Sequence, residues 1–600
     1  MGRIATRSIS ENGNPNANQT ITNYDSLGRI STINNLLSSS LNSVFTYDYK
    51  IGTQQTDFGT QQLGHVYYPN GMVAQYQYFD NTGDQRLKEI EKLNNNNMIS
   101  KFDYTYDAVG NIQTWTQKNS GLTAALQYQL GYDTDDQLLS ATLASGSNRY
   151  YNYDSASNRT SEQFLGTASS SYTSSSYNKA NQLTARTAGG PMIFTGTVST
   201  PSIVTIGTGT ATVNASGIWT GTATLSPGAN RIPLQATNAN NLLTTSTNIS
   251  MVIASGSNET FLYDNNGNLT SESGNPQTAK TLTWDGENRL TSITYTATGN
   301  QSQFTYNGIG QMVKIVEVGT TSTTRQFIWC CGDAQPSEER DGNNNVTKRF
   351  FPQGEQILNT QTSTFNSYYY TRDHLGSVME MTDANGVVQA RYAYDPYGRL
   401  TNVPVPGATG NVASDFAYAG YYNHGPSGLY ATFYRFYSPD LGRWISRDPL
   451  DNPSTRMIAN IQEAQFDLNP SRLLASSLPV EILQNSNLYS YVGNNSINLF
   501  DPLGLWYVNI GIGIGGGFGL GGGFGFYIGS NGFHPYLQGG LTTPGFTVAA
   551  RYSPGTVCPG WGGTIEGTFS LSVGKSTNKN GGEIGAGWPP GASAFGSYTW

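Results

Sequence analysis

Phe102-Asp103-Tyr104-Thr105-Tyr106-Asp107-Ala108-Val109-Gly110-Asn111-Ile112 is the stretch that decides the fold. Its aromatic residues stand at alternate positions, the two-residue period of a strand with one buried face. Asp107 to Gly110 then makes a tight turn, because a short carboxylate bonds turn amides and glycine takes the positive φ that closes it. Asn111-Ile112 opens a return strand, so the unit is a β-hairpin. Asp and Gly at this spacing are explained by structure, without chemistry.

The pattern recurs along the chain. Copies stand at Tyr24-Asp25, Tyr132-Asp133, Tyr153-Asp154, Tyr177-Asn178, Tyr263-Asp264, Trp284-Asp285, Tyr306-Asn307 and Tyr394-Asp395. Adjacent copies lie roughly 20 to 26 residues apart, a period that marks a repeat architecture. One hairpin cannot bury its aromatic face alone, so successive hairpins must join into a continuous antiparallel sheet. Repeat text begins almost at once, at Tyr24, which suggests a piece of a longer polypeptide.

Composition agrees with β structure. Of 600 residues 70 are Gly and 38 Tyr, and charged residues make up only 12%, about half the usual share. A net charge of −8 gives the array no reason to bind nucleic acid. Three cysteines are too few for a disulfide framework, and four scattered histidines lack zinc spacing, so neither metal nor cofactor is expected. Cys330 and Cys331 read as one buried and one surface thiol on a strand. The first residues have no apolar signal-peptide core, and no apolar run is long enough for a membrane helix.

From Gly189 to Gly256 the repeat stops. Short Val/Ile/Thr strands alternate with turn residues, the sign of a small β-sandwich. Asn214 to Trp219 with Leu225 to Ile232 resembles immunoglobulin-like modules inserted in bacterial surface proteins. Trp219 reads as a core aromatic, with a sugar-stacking platform as the other reading.

The text from Tyr368 to Leu505 resembles the core domain of the Rhs/YD-repeat family. It contains Arg435-Phe436-Tyr437-Ser438-Pro439-Asp440-Leu441-Gly442-Arg443-Trp444, then Asp448-Pro449, then Asp501-Pro502-Leu503-Gly504-Leu505. The resemblance implies that the array spirals into a shell around a cargo and that the chain cuts itself at Leu505-Trp506 by aspartyl-type chemistry. Matched residue by residue, Asp448 and Asp501 would be the acid pair and Arg435 their supporting cation. Two carboxylates sharing one proton can activate water and protonate a carbonyl, and an arginine fork can hold the charged partner. Taken singly, each Asp-Pro is equally a turn initiator. An insertion from about Asn452 to Gln484 separates the two aspartates farther than the family pattern does. His374, in Arg372-Asp373-His374-Leu375-Gly376-Ser377, reads as part of a strand-turn rather than as a base.

After Leu505 more than a quarter of the residues are Gly. Apolar residues fall on even positions from Val508 to Ile528, a strand period with one greasy face. His534, Cys558, Glu566 and Glu583 are too scattered for a nuclease or transferase. Released hairpins of this kind would insert in a membrane, whereas a tail without toxicity would pack on the core.

The expected division is a YD-repeat array at 1–188, the immunoglobulin-like sandwich at 189–256, a second array at 257–367, the Rhs core at 368–505 and a variable tail at 506–600. The expected role is a mainly β, secreted or cell-surface shell releasing its own C-terminal payload in intercellular competition. The only enzymatic act expected is a single-turnover self-cleavage. Expected partners are the enclosed tail, secretion machinery, an immunity protein and, for the freed tail, a membrane. The alternative is a non-enzymatic surface adhesin that binds carbohydrate through exposed aromatics.

Overall fold

A computed structural model describes residues 6–11, 14–38, 41–51, 56–166, 170–329, 335–403, 405, 412–449 and 487–504. Beyond these it describes the backbone of six strands in the tail. Cys330, Cys331, the insertion at 452–484 and the Leu505-Trp506 bond lie outside the described residues. The chain divides into two compact units, the first running to Arg447 and including 487–502, the second including Asp448 and the tail strands.

Asp107 shows why the repeat turns where it does. Its Oδ1 accepts the N–H groups of Val109, Gly110 and Asn111 at 3.1, 2.8 and 2.9 Å. Its own N–H donates to the Asn111 carbonyl at 2.9 Å. The fourth position takes positive φ: 105° at Gly110, and 57°, 58° and 60° where Ser157, Asn181 and Asn288 replace glycine. At the tyrosine before the aspartate the register slips, between Thr105 and Tyr106 here and likewise before Tyr132, Tyr153 and Tyr306.

The slip explains the tyrosine. A bulge disturbs the ladder and leaves backbone groups to be paired elsewhere. Tyr132 Oη donates to the carbonyl of Ile112, in the preceding hairpin, at 2.9 Å. Tyr153 does the same to Leu138 at 2.6 Å and Tyr306 to Leu290 at 2.8 Å. Where tryptophan stands instead, Nε1 takes over, Trp284 to Leu269 at 2.7 Å and Trp329 to Met312 at 2.8 Å. At the same slip Arg372 and Thr382 donate to the carbonyls of Pro352 and Tyr369 at 3.0 and 3.3 Å, so the position calls for a side-chain donor, which phenylalanine lacks.

Stacked this way, the hairpins form one 29-stranded antiparallel sheet from Thr6–Glu11 to Leu400–Val403. The sheet folds back on itself. Phe45, Ile90, Phe102 and Tyr104 share a core with Phe351, Tyr369, Met379 and Tyr397. Tyr68 donates to the Tyr370 carbonyl at 3.1 Å, and Ser100 to Glu380 Oε2 at 2.9 Å. A second core joins Leu183, Phe261, Ile293, Ile315 and Phe327 to Phe416, Tyr422, Phe436 and Ile445. The array's apolar face is thus covered partly by its own far strands and partly by residues 412–447.

The inserted segment forms two sheets of its own beside Ser170–Tyr177 of the array, whose Tyr172 enters its core. Gly190–Thr197, Ile218–Leu225 and Thr212–Val213 make one sheet; Gly209–Thr210, Ser202–Ile206, Gly228–Asn238 and Thr244–Ile253 make the other. Val204, Ile206, Trp219, Leu225 and Ile232 fill the space between. Trp219 is 6% exposed, and a Cβ on Gly196 would stand 2.7 Å from its ring. It is therefore a core residue and offers no face for stacking on sugar. In the tail, Asn509–Gly515 pairs antiparallel with Gly519–Gly529, and the six strands form one sheet.

Candidate self-cleavage site

Arg435 precedes the strand Phe436–Ser438, whose partner is Arg443–Trp444. This short pairing folds Trp444 back over the arginine, with the guanidinium carbon 4.2 Å from the ring centre. Thr432 Oγ1 donates to the Arg435 carbonyl at 2.8 Å and fixes the turn before it. The side chain is left pointing into the protein, only 2% exposed.

There it meets Asp501. Arg435 Nη2 donates to Asp501 Oδ2 at 3.2 Å, and the aspartate side chain is fully buried. Arg435 Nη1 also donates to the Leu488 carbonyl at 3.3 Å. A buried carboxylate is tolerated only when paired, and removing either member strands the other.

The backbone of Asp501 is gripped separately by Tyr421. The phenol Oη accepts the Asp501 N–H at 3.1 Å and donates to its carbonyl at 2.8 Å. Tyr491 lies 3.0 Å away, hydroxyl to hydroxyl. Burial and the neighbouring Tyr418 and Tyr421 push the Tyr491 phenol well above its ordinary value, so it stays protonated. Pro502 follows with no N–H to satisfy. Asp501 is therefore fixed at both its side chain and its peptide groups.

The segment leading to Asp501 is strapped across the array by asparagines. Asn487 Nδ2 donates to Asn158 Oδ1 at 2.7 Å, Asn494 to Gln137 Oε1 at 2.9 Å and Asn495 to Asn111 Oδ1 at 2.9 Å. Asn498 Oδ1 accepts the Ile112 N–H at 2.7 Å. Asn111, Gln137 and Asn158 all follow the positive-φ position of their turns, so successive asparagines of the strap engage successive hairpins. His374 joins the same strap. Its Nε2 donates to the Ile497 carbonyl at 2.7 Å and its Nδ1 accepts from Tyr104 at 3.1 Å. Burial lowers its pKa below the usual imidazole value, and the neutral ring acts as a tie.

Of the three residues the motif singles out, the structure brings Arg435 and Asp501 together. Asp448 follows Trp444 in the chain, is half-buried and falls in the second unit. Tyr421, Trp444 and the strap asparagines escape a reading of motifs, since each acts on a residue remote in sequence. Among the described residues no group of three or more His, Cys, Asp or Glu is placed to hold a metal ion.

No family model matches the chain. Sequence likeness runs to a tRNA3(Ser)-specific nuclease WapA of Bacillus spizizenii, 28% identical over 43% of this chain and 10% of that protein. It runs also to a double-stranded DNA deaminase toxin A of Burkholderia cenocepacia, 24% identical over 32% of this chain and 15% of that protein. Among solved structures the Tc holotoxin pore of Photorhabdus luminescens, with mutated TccC3, covers 81% of this chain and 21% of that chain at 15% identity and a TM-score of 0.45. The chain spans about a tenth of the length of the WapA relatives it matches.

Proposed function

We propose that this chain is the repeat and core portion of an Rhs-type toxin that cuts itself once, after Leu505, to free its C-terminal segment. The observation that carries the reading is the buried pair that Arg435 makes with Asp501, the first residue of Asp501-Pro502-Leu503-Gly504-Leu505. In this reading Asp448 and Asp501 share a proton. The ionised member takes a proton from water as the hydroxide attacks the Leu505 carbonyl, and the protonated member donates to the carbonyl oxygen. Collapse of the tetrahedral intermediate breaks the C–N bond as the aspartate that took the water proton passes it to the leaving nitrogen and the other aspartate regains its proton from the new hydroxyl, leaving the Leu505 carboxylate and the Trp506 amine. Arg435 holds the Asp501 charge and orients its carboxylate.

The array would shield the tail in the producing cell, and release would follow delivery to a competitor. The glycine-rich tail fits a payload that works through strands, as at a membrane, rather than by enzymatic side chains. What the names of its relatives say of nuclease or deaminase activity stays with those proteins. Intact mass of the purified chain, beside Asp448→Asn and Asp501→Asn, tests the reading. A break at Leu505-Trp506 in the wild type that is lost in both variants supports it; a wild type that stays whole overturns it.

A further inference from the structure

His424-Gly425-Pro426-Ser427-Gly428 turns between the paired strands Tyr422–His424 and Leu429–Ala431. The His424 carbonyl accepts the N–H groups of Ser427 and Gly428 at 3.2 and 3.1 Å and so closes the turn. Gly428 takes a φ of 69°, which a side chain would resist. This turn brings the Ser427 hydroxyl to 2.7 Å from His424 Nδ1. The His424 residue is 0% exposed, its Nε2 lies 2.9 Å from Glu317 Oε1, and its ring packs edge-on to Phe304 at 5.1 Å between centres.

Glu317, on the strand Met312–Val318, is held by other groups besides. Ser302, opposite it on Gln301–Tyr306, donates to its Oε2 at 2.5 Å, and Arg325 Nη2 donates to its Oε1 at 3.1 Å. Tyr295 Oη, 2.8 Å from Ser302 Oγ, lies beside Ser427 as well. A carboxylate only accepts, so Nε2 carries the ring proton and Nδ1 is left to accept from Ser427. Burial lowers the His424 pKa below the ordinary imidazole value, with Glu317 and Arg325 the charged groups that face it. A hydroxyl, a neutral imidazole and a carboxylate thus stand in the order nucleophile, base and orienting group.

A buried imidazole needs a partner at each nitrogen, and any hydroxyl would serve; Ser427 is set apart by access. It is half-buried, while Gly425, Pro426 and Gly428 around it are exposed, and a Cβ on either glycine would meet nothing within 4 Å. The turns that close the hairpins carrying Tyr295, Ser302, Glu317 and Arg325, residues 296–300 and 319–322, hold no charge. We propose that Ser427 is a nucleophile that takes the acyl group of a small neutral ester, with His424 as its base and Glu317 as a positioning residue. Ser427 Oγ bonds to the ester carbon as its proton passes to His424 Nδ1, and that proton goes to the alkoxide as the C–O bond to the leaving alcohol breaks. Water then attacks the acyl-serine, giving a proton to Nδ1 that returns to Oγ as the acid leaves. The N–H groups of Ser427 and Gly428 are committed to the His424 carbonyl, so the oxyanion is weakly held and the reaction is slow, confined to esters with good leaving groups.

The full chain is tested with two probes, p-nitrophenyl acetate for turnover and a fluorophosphonate for trapping the nucleophile, the adduct being located by peptide mass. Ser427→Ala, His424→Gln and Glu317→Gln are compared with the wild type, each checked by far-ultraviolet circular dichroism. The expected result is an adduct on Ser427, none on the exposed Ser216, and release of p-nitrophenolate that Ser427→Ala abolishes. Loss of the base in His424→Gln should slow both reactions about a hundredfold. Glu317→Gln keeps the shape of the pair and should slow them less, and it carries the test should His424→Gln fail to fold. A wild type without an adduct on Ser427 overturns the proposal, as does an adduct that forms at the wild-type rate in folded Glu317→Gln, or p-nitrophenolate release that survives in Ser427→Ala.

Discussion

Tyr421 shows how much a single hydroxyl decides at the candidate site, because it bonds the N–H and the carbonyl of the residue whose carboxylate meets Arg435. Tyr421→Phe keeps the ring and removes both bonds in a buried setting, where losing a partner costs about 1–3 kcal/mol. The expected outcome is a lower denaturant midpoint and a slowing of the proposed self-cut; an unchanged midpoint would count against the clip. Lys92 carries a second prediction, in pH. It is 2% exposed, its ammonium nitrogen is 3.2 Å from Tyr76 Oη and 4.7 Å from that ring's centre, and Glu380, Arg372 and Asp373 face it. Burial pushes its pKa down to about 7 from 10.5. Between those values the unfolded chain binds the proton and the folded chain releases it, so this residue's contribution to stability rises with pH from about 7 to about 10.5 and is lost as pH falls through 7. Lys92→Met should flatten that rise; denaturation of both proteins at pH 6 and pH 9 measures it, and equal differences at the two values would refute it.

At the scale of elements, the strap that ends at Asp501 is held by amides rather than by apolar packing alone. Asn494→Ala with Asn495→Ala removes the bonds to Gln137 and Asn111, while leaving Arg435 and Asp501 in place. Hydrogen exchange across the strap should speed up, and the proposed self-cut should slow although neither proposed acid has changed. If protection stays at the wild-type level, the amide ladder does not hold the strap. The contrast between turn and strap explains what was legible in the sequence. The Asp107 turn closes within four residues, so its chemistry is spelled out locally and the repeat is visible on sight. The Asn495–Asn111 bond spans 384 residues, and nothing in Asn494-Asn495 alone distinguishes a strap from a loop. Tyrosine's part was half legible: alternation showed a buried aromatic, but the need for its hydroxyl follows from a register slip that only the neighbouring hairpin reveals. Tyr306→Phe tests that need. It removes the donor to the Leu290 carbonyl and should destabilise the array by about 1–3 kcal/mol, read as a shift in denaturant midpoint.

For the whole molecule, the sheet's path past the inserted sandwich separates scaffold from accessory. Leu183–Ala188 pairs directly with Glu259–Tyr263, Ala185 opposite Thr260 and Arg186 opposite Glu259, and Arg186 Nε donates to Glu259 Oε2 across the join. The ladder therefore closes beside the module rather than through it, and the sandwich buries its own core around Trp219. Deleting Gly190 through Ser255 joins Gly189 to Gly256 and leaves a short, glycine-bearing connection between strands that already pair. Such a shortening lowers the entropy cost of closing the loop. The module's contacts with Ser170–Tyr177 are lost with it: the Ala254 N–H to the Ser170 carbonyl, the Tyr172 hydroxyl to the Pro191 carbonyl, and the packing of Tyr172, 2% exposed, into the sandwich core, so Tyr172→Ser belongs in the same variant to avoid a new apolar patch. The shortened chain should keep the array's denaturant midpoint and the rate of the proposed self-cut. If the midpoint falls by as much as removal of a buried hairpin would require, the sandwich is part of the array's stability, and the ladder at Ala185 and Arg186 does not stand without it.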